Sequence, residues 1–338
     1  ESLAVARLAA EYQRGKAKHR IEARLILEPA GVVNGQRLRK EILLDGVKKQ
    51  ASDVIGHFNA VIFVPQMSAI IEDGPDERRR YLNLAISQSQ PAYTRALSEY
   101  NQALTQRNAL LKMLYERGGD TSQLDYWDEI LAAHGAILIG ARIEAVQELE
   151  QFAMGVHERL TGATEVIRLI YQPSYDPLPP PQGQISLPMQ VQIQRNGLTA
   201  EKVKQGFITR LASLRQEEIA RGVTTIGPHR DEMRVLCNGI DLTDYGSRGQ
   251  IRTALLSLKM AEVEWLKAKT GEWPILLLDE TLAELDTRRR AYLLEYLVNV
   301  EQAILTTTDM NLFPSDFRSK CERWQVVSGS VEKLKNEE

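Results

Sequence analysis

Apolar positions along the chain change their period twice. Through residue 65 they come in short runs. RIEARLIL (20–27) alternates in part, Asp45-Gly46 is a turn signal, and NAVIFVP (59–65) is a continuous apolar run stopped by Pro65. These features predict a strand-rich region. From Asp76 to about Tyr115 the spacing becomes helical, with Leu97, Tyr100, Leu104 and Leu111 on or near one stripe. Pro91 should divide that stretch into two helices, and Gly118-Gly119 should close it. A second long helix, or a pair, is expected from about Ser122 to Leu160.

Period two then returns in ISLPMQVQI (185–193), where Ile185, Leu187, Met189, Val191 and Ile193 share a face and Pro188 favours an edge position. Asn196-Gly197 should turn the chain. Thr199 should cap a helix reaching about Ala220, with Val203, Phe207, Leu211 and Leu214 facing inward. Strands are expected near 233–237, 275–279 and 303–307, and the proline-rich PSYDPLPPPQG (173–183) should be a surface connection. The pattern divides the chain into a strand-rich segment 1–65, a mainly helical lobe 66–165 and a mixed segment 166–338, an α/β fold with a helical insertion.

At 338 residues, 43 % hydrophobic and 26 % charged, the composition is that of a soluble globular protein with more than one lobe. No apolar run is long enough for a bilayer span, and no signal-peptide pattern opens the chain. It starts at Glu1, without an initiator methionine, so a cropped or processed product is expected. Cys237 and Cys321 lie far apart without metal spacing, which points to a reducing, cytoplasmic compartment. The net charge of −3 decides nothing about partners, but basic residues cluster as KAKHR (16–20), RLRK (37–40), Lys48-Lys49 and Arg78-Arg79-Arg80. Each cluster can be a solvated face. Phosphate contact becomes the better reading only where the fold brings several together.

The chemistry concentrates in PILLLDETLAELDTRRR (274–290), where an apolar strand runs into Asp279 and Glu280 and a second acidic element ends at Asp286. In P-loop ATPases such an aspartate helps to hold magnesium, directly or through water, and a following glutamate polarises the attacking water. Alternation along the strand would aim the two carboxylates differently. An ordinary strand with acidic loop residues is the plainer alternative. Upstream, DYGSRGQIRTALLSLKMAEVEWL (244–266) places Gly246, Ser247, Arg248, Gly249 and Gln250 before a periodic helix, an anion site or an ordinary helix cap. The order of glycine-serine cap, helix, apolar strand, Asp-Glu and LAELD favours the first reading and the ATP-binding cassette branch. TTTDM (306–310) puts threonines and Asp309 at a strand end. TTIGPHRDEM (224–233) puts His229, Arg230 and Asp231 on a charged turn that touches nucleotide, DNA or the sheet. Only five histidines occur, which argues against a metal cluster, and no metal spacing includes His229.

FVPQMSAIIEDGPDERRRYLNLAISQ, YNQALTQRNALLK, TTIGPHRDEM, GSRGQIRTALLSLKMAE, LLLDETLAELD and ILTTTDM together closely resemble the RecF family of bacterial DNA replication and repair proteins, over essentially the whole chain. The resemblance implies a P-loop NTPase head of the ABC/SMC-like type with a helical second lobe. It also implies ATP and Mg2+ as cofactors, and single-stranded and gapped double-stranded DNA, recombination mediators and an ATP-dependent homodimer as partners, with no membrane. On that pattern Asp279 resembles the metal-side aspartate and Glu280 the catalytic carboxylate. Ser247, Gly249 and Gln250 resemble the signature motif acting on the partner's nucleotide, Asp286 the aspartate at the dimer seam, and Gln66 the residue that follows the first sheet strand.

Two departures qualify it. The signature reads GSRGQ, and no Gly-x-x-x-x-Gly-Lys-[Ser/Thr] occurs; Gly15-Lys16 is followed by Ala17. The family's phosphate-cradling segment is therefore expected upstream of Glu1, and weak DNA-stimulated ATPase activity is expected only of a chain that carries it. A transport-type cassette subunit and a non-hydrolysing DNA-binding clamp are the alternatives. A chromosome-organising protein is disfavoured because the helical insert is too short for its arm.

Overall fold

The computed structural model describes residues 4–30, 35–177 and 199–334. The strand expected at 185–193 and the turn at Asn196-Gly197 lie outside them. The chain opens with an antiparallel sheet in chain order, β1 (Ala4–Arg14), β2 (Ala17–Ala30), β3 (Gly35–Leu44) and β4 (Val47–Lys49). Asp45 and Gly46 join the last pair with φ of 50° and 80°, the backbone of a tight hairpin turn. A single turn, α1 (Ala51–Val54), leads to β5 (Ala60–Phe63), and Pro65 follows as the first residue of a 3₁₀ turn, Pro65–Ser68.

The short α2 (Ala69–Glu72) precedes three long helices, α3 (Pro75–Ser89), α4 (Pro91–Arg117) and α5 (Gln123–Thr161). Pro91 separates α3 from α4 as expected. It sits in the first turn of α4, where a missing N–H leaves no intrahelical bond unmade. The stretch from Ser122 is one helix of 39 residues, about 58 Å long at the α-helical rise. Its buried side chains, among them Leu131, Leu138, Val146, Leu149 and Val156, touch several neighbours, because α4, β6 (Ile167–Gln172), α6 (Ala200–Arg221) and α8 (Arg248–Thr270) all pack on it. Thr199 caps α6 by accepting from Lys202 N, and Val203, Phe207 and Leu211 are buried as the spacing predicts.

β6 pairs with β7 (Glu232–Cys237), which pairs with the two-residue β8 (Ile240–Asp241); α7 (Leu242–Tyr245) then leads into α8. Beyond α8 come β9 (Ile275–Asp279), α9 (Thr287–Leu297), β10 (Ala303–Thr306), the single turn α10 (Ser315–Arg318) and a hairpin of β11 (Trp324–Val327) and β12 (Ser330–Lys333). β10, β9 and β5 form a parallel sheet with β9 in the centre. Val61, Phe63, Leu276 and Leu278 are buried on the face toward the helices. On the other face Ile62, Leu277 and Ile304 stand in register, with Ile62 44 % and Ile304 52 % exposed. Parallel sheets are ordinarily covered on both sides, and the described residues cover one. No helix among the described residues is long and apolar enough to cross a membrane.

Three buried arginines join the helices to the rest. Arg142 of α5 donates to Tyr93 Oη at 3.0 Å, Asn83 Oδ1 at 2.9 Å, the Pro228 carbonyl at 2.6 Å and Asp231 Oδ2 at 3.1 Å. Asp231 also accepts from Tyr171 Oη and from the Ser174 amide. Arg107 of α4 pairs with Asp128 and Glu218, each at 2.7 Å. Arg78 of α3 forks onto Glu232 at 2.7 and 2.8 Å and donates to the Asp73 carbonyl. Removing one partner of a buried pair strands the other charge, so Asp231→Ala is expected to cost about 3–5 kcal/mol. Arg80→Ala, at a guanidinium whose side chain is 81 % exposed, should stay within about 0.5 kcal/mol of the wild type. Urea unfolding of the two variants measures both, and an Asp231→Ala protein as stable as Arg80→Ala would show that the cluster carries no such weight.

Candidate nucleotide-binding site

The C-terminal edge of a parallel sheet is where its loops leave room for a ligand. β9 ends there with Asp279, exposed and, by alternation from Leu277, on the sheet's open face. Thr306, its register partner on β10, donates its hydroxyl to Asp279 Oδ1. One carboxylate oxygen is thereby anchored, and the other is left to the outside.

Glu280 does not continue the strand. It sits in the left-handed region at φ 49° and ψ 15° and opens a 3₁₀ turn, Thr281–Glu284. Its direction is set by that turn and not, as alternation would have it, by the pleat. The turn is tied back to β5 by Thr281, whose hydroxyl donates to the Phe63 carbonyl at 3.2 Å. Gln66 lies exposed in the 3₁₀ turn after β5, so the parallel pairing of β5 with β9 puts it on the same edge as the two acids. Asp286 N-caps α9, accepting from the Arg289 amide at 2.9 Å and its guanidinium at 2.8 Å.

Ser247 is the N-cap of α8 in a reciprocal capping box: Ser247 Oγ accepts from the Gln250 amide at 3.2 Å and Gln250 Oε1 from the Ser247 amide at 3.1 Å. Gln250 Nε2 donates to Glu165 Oε1 at 3.1 Å, so this side chain works inside its own chain. Gly246 is required just before the cap, because a Cβ there would come within 2.6 Å of the Leu242 carbonyl. Gly249, in the first turn, faces open space. The amides of Arg248 and Gly249 lie outside the two capping bonds and point from a helix N-terminus, the arrangement that favours an anion.

The two groups of residues are separate within one chain. Among the described residues no hydrogen bond or ion pair joins Ser247, Gly249 or Gln250 to Asp279 or Glu280. Between α8 and the turn after β9 lies a cleft of about 360 Å³ lined by Phe63, Met67, Arg248, Lys259, Thr281 and Leu285. Arg252 of α8 pairs with Glu284 across it, a bridge no linear pattern announces.

The remaining sequence candidates take other duties. Asp309 caps the turn Met310–Leu312 by accepting from Asn311 N. In the 224–233 motif Asp231 belongs to the buried arginine cluster and His229 to the helices. His229 Nδ1 lies 2.7 Å from Tyr100 Oη and Nε2 3.2 Å from the Thr224 carbonyl. Burial, aided by the nearby Arg230, Arg79 and Arg107, holds its imidazole down at about 4, hence neutral near pH 7. Of the basic clusters, Arg78 and Arg79 are consumed internally, Arg79 by the Asp231 carbonyl and Asp76. Lys16, Lys18 and Lys49 instead share one end of the β1–β4 sheet, all exposed, while Lys48 beside them pairs with Glu41 at 2.7 Å.

No protein-family model matches the chain. Among relatives, the DNA replication and repair protein RecF of Halothermothrix orenii is 38 % identical over 275 residues, 81 % of this chain and 69 % of the relative. That of Chloroflexus aurantiacus is 35 % identical over 334 residues, 96 % of this chain and 80 % of the relative. The chain belongs to the RecF family. A solved structure of the recombination mediator protein RecF with ATP superposes on it with a TM-score of 0.76 at 30 % identity, over 94 % of this chain and 76 % of that one. A second, described as RecF-ATPrS, gives 0.73 at 29 %. The parallel sheet with its large helical insertion is thus an α/β head of the ABC/SMC-like P-loop NTPase type.

A glutamate held in the left-handed region is strained by about 1–2 kcal/mol, a cost that glycine does not carry. Glu280→Gly is therefore expected to unfold at higher urea than Glu280→Gln, although both lack the carboxylate. Equal midpoints would show that the turn imposes no strain on this residue.

Proposed function

We propose that this RecF-family chain is an ATP-dependent DNA-binding protein of replication and recombinational gap repair. It engages single-stranded DNA and single-strand/double-strand junctions, and its slow ATP hydrolysis is coupled to dimerisation of two heads. The observation that carries the proposal is the separation just described. Asp279 and Glu280 stand at the sheet edge, while among the described residues the Ser247 cap and the first amides of α8 make no hydrogen bond to either acid. A second copy of the head would bring the α8 terminus of one chain to the Asp279–Glu280 edge of the other. Names of relatives and of solved structures that speak of DNA repair, of ATP and of recombination mediation support the same reading.

The residues present fit the metal and γ-phosphate side of such a site. Hard divalent cations take oxygen ligands, and Asp279 offers an exposed carboxylate whose orientation Thr306 fixes. A bound magnesium nucleotide would supply the electrophilic phosphorus and the charge neutralisation. Asp279 would hold the cation or one of its waters. Glu280 would orient the attacking water and accept its proton, Gln66 would face the same edge, and Ser247 with the Arg248 and Gly249 amides would donate to phosphate oxygens from the partner copy. Asp286, at the head of α9, would lie at the seam. None of the 338 residues forms the Gly-x-x-x-x-Gly-Lys-[Ser/Thr] cradle, so no residue here is assigned to the α- and β-phosphates. Lys16, Lys18 and Lys49 are the first candidates for DNA phosphates, and recombination mediators are the expected protein partners.

The test uses the protein as encoded in its gene. Binding to gapped duplex, read by fluorescence anisotropy, is expected to tighten when Mg-ATP is added. Glu280→Gln should keep that ATP-dependent binding while its turnover falls by about 100-fold or more. Equal DNA affinity with and without ATP would sink the proposal and favour a non-hydrolysing clamp. Undiminished turnover in Glu280→Gln would remove Glu280 from the catalytic role.

A further inference from the structure

A buried cluster of three metal-ligating side chains lies behind the α8 cap, away from the nucleotide edge. His157 is one turn before the end of α5, Glu165 is in the connection to β6, and Cys237 ends β7. One ligand atom from each falls within 4.8 Å of the others. His157 Nε2 is 3.6 Å from Glu165 Oε2 and 4.0 Å from Cys237 Sγ. His157 and Cys237 are buried, and the Glu165 side chain is 22 % exposed, which gives an ion an entry path.

The groups around the cluster aim these atoms inward. The Ser257 hydroxyl donates to the Thr253 carbonyl at 2.8 Å, so at 3.0 Å from His157 Nδ1 it acts as the acceptor. That assigns the ring proton to Nδ1 and turns the Nε2 lone pair toward Glu165 and Cys237. Gln250 Nε2 occupies Glu165 Oε1 and leaves Oε2 for the cluster. Two bonds between Val166 and Asn238, each 2.9 Å, hold the Glu165 loop against the end of β7. The result is a lone pair facing a carboxylate oxygen at 3.6 Å, beyond hydrogen-bond range, with a thiol beside them. The Cys237 thiol is the one donor between them, 4.0 Å from Nε2, and the Glu165 side chain is partly open to solvent.

We propose that His157, Glu165 and Cys237 form a binding site for a divalent transition metal of the zinc class. Tetrahedral bonds of about 2.0–2.3 Å to nitrogen, oxygen and sulfur imply ligand–ligand separations of about 3.3–3.8 Å, and the two His157 pairs, at 3.6 and 4.0 Å, need only a small contraction to reach them. The thiol gives up its proton to solvent and binds as thiolate. The fourth position takes water on the exposed Glu165 side. The Ser257–His157 hydrogen bond fixes the ring as a carboxylate, carbonyl or water does for metal-bound imidazoles. The ion is structural. It ties α5, the Glu165 loop and β7 together one hydrogen bond away from Gln250, and so steadies the capping box that sets Ser247. The inference does not depend on the nucleotide reading.

Cobalt titration of the full protein under reducing, anaerobic conditions tests it, because a cobalt–thiolate bond has its own near-ultraviolet charge-transfer absorption. The wild type should develop that band to one equivalent and lose it on addition of zinc. Cys321→Ser, which removes the other cysteine, should behave identically, while Cys237→Ser should show no band. Ser257→Ala should weaken cobalt binding by about 10- to 100-fold, the range for lost outer-shell partners. A wild-type protein without the band, a requirement read before any variant has to fold, would overturn the proposal and leave the cluster as a hydrogen-bonded triad. Persistence of the band in Cys237→Ser would do the same.

Discussion

The fold depends on a guanidinium enclosed by protein. Arg142 is 1 % exposed, and its four hydrogen bonds end on α3, on α4, on the turn before β7 and on Asp231. Moving such a charge out of water costs several kcal/mol, which is recovered only when geometry and partners are complete. Asp231 completes it while also accepting from Tyr171 on β6 and from Ser174, so one carboxylate serves the helices and the antiparallel β6–β7 sheet together. Arg107 and Arg78 repeat the device on either side, through Glu218 of α6 and Glu232 of β7. A helical insertion joined only by apolar contacts could slide; one joined by directional charge pairs has a single register.

That register places the candidate site. β7 follows the Asp231–Glu232 corner directly, β8 and α7 lead from it to α8, and α8 packs along α5, so the direction of the α8 N-terminus is set by the same core. The parallel sheet lies on the other side of α8. Its edge carries Asp279 and Glu280, and the Arg252–Glu284 pair spans the intervening cleft. An anion-attracting helix start and a pair of carboxylates are therefore displayed apart. This is a sensible arrangement for a site assembled from two copies and a poor one for a site closed within a single chain.

Much of this was legible in the sequence because it is local. Pro65, Pro91 and Gly118 end elements through their own backbone restrictions, Thr199 and Ser247 cap helices three residues ahead, and the apolar run into Asp279 could only be a buried strand. What escaped depends on pairing over distance. Thr306 became the partner of Asp279 through strand register. Cys237 met His157 from 80 positions away, where no spacing rule operates. Arg78 and Arg79 read as part of a basic patch, although composition cannot reveal that Glu232 and the Asp231 carbonyl wait inside. The left-handed turn at Glu280 was also hidden, since glutamate rarely adopts that backbone without tertiary constraint.

The central claim is that each catalytic site is shared between two heads, and subunit mixing tests it most directly. Ser247→Ala and Glu280→Gln proteins, each as encoded in full, are combined in equal amounts and assayed for ATP turnover with gapped DNA. In a two-fold dimer the mixed species holds one intact pairing of Glu280 from one chain with Ser247 from the other. Half the dimers are mixed and one site in each is whole, so about a quarter of wild-type turnover should return. Turnover no greater than the average of the two variants assayed alone would mean that Ser247 and Glu280 do not act across a dimer, and the account would be wrong at its centre.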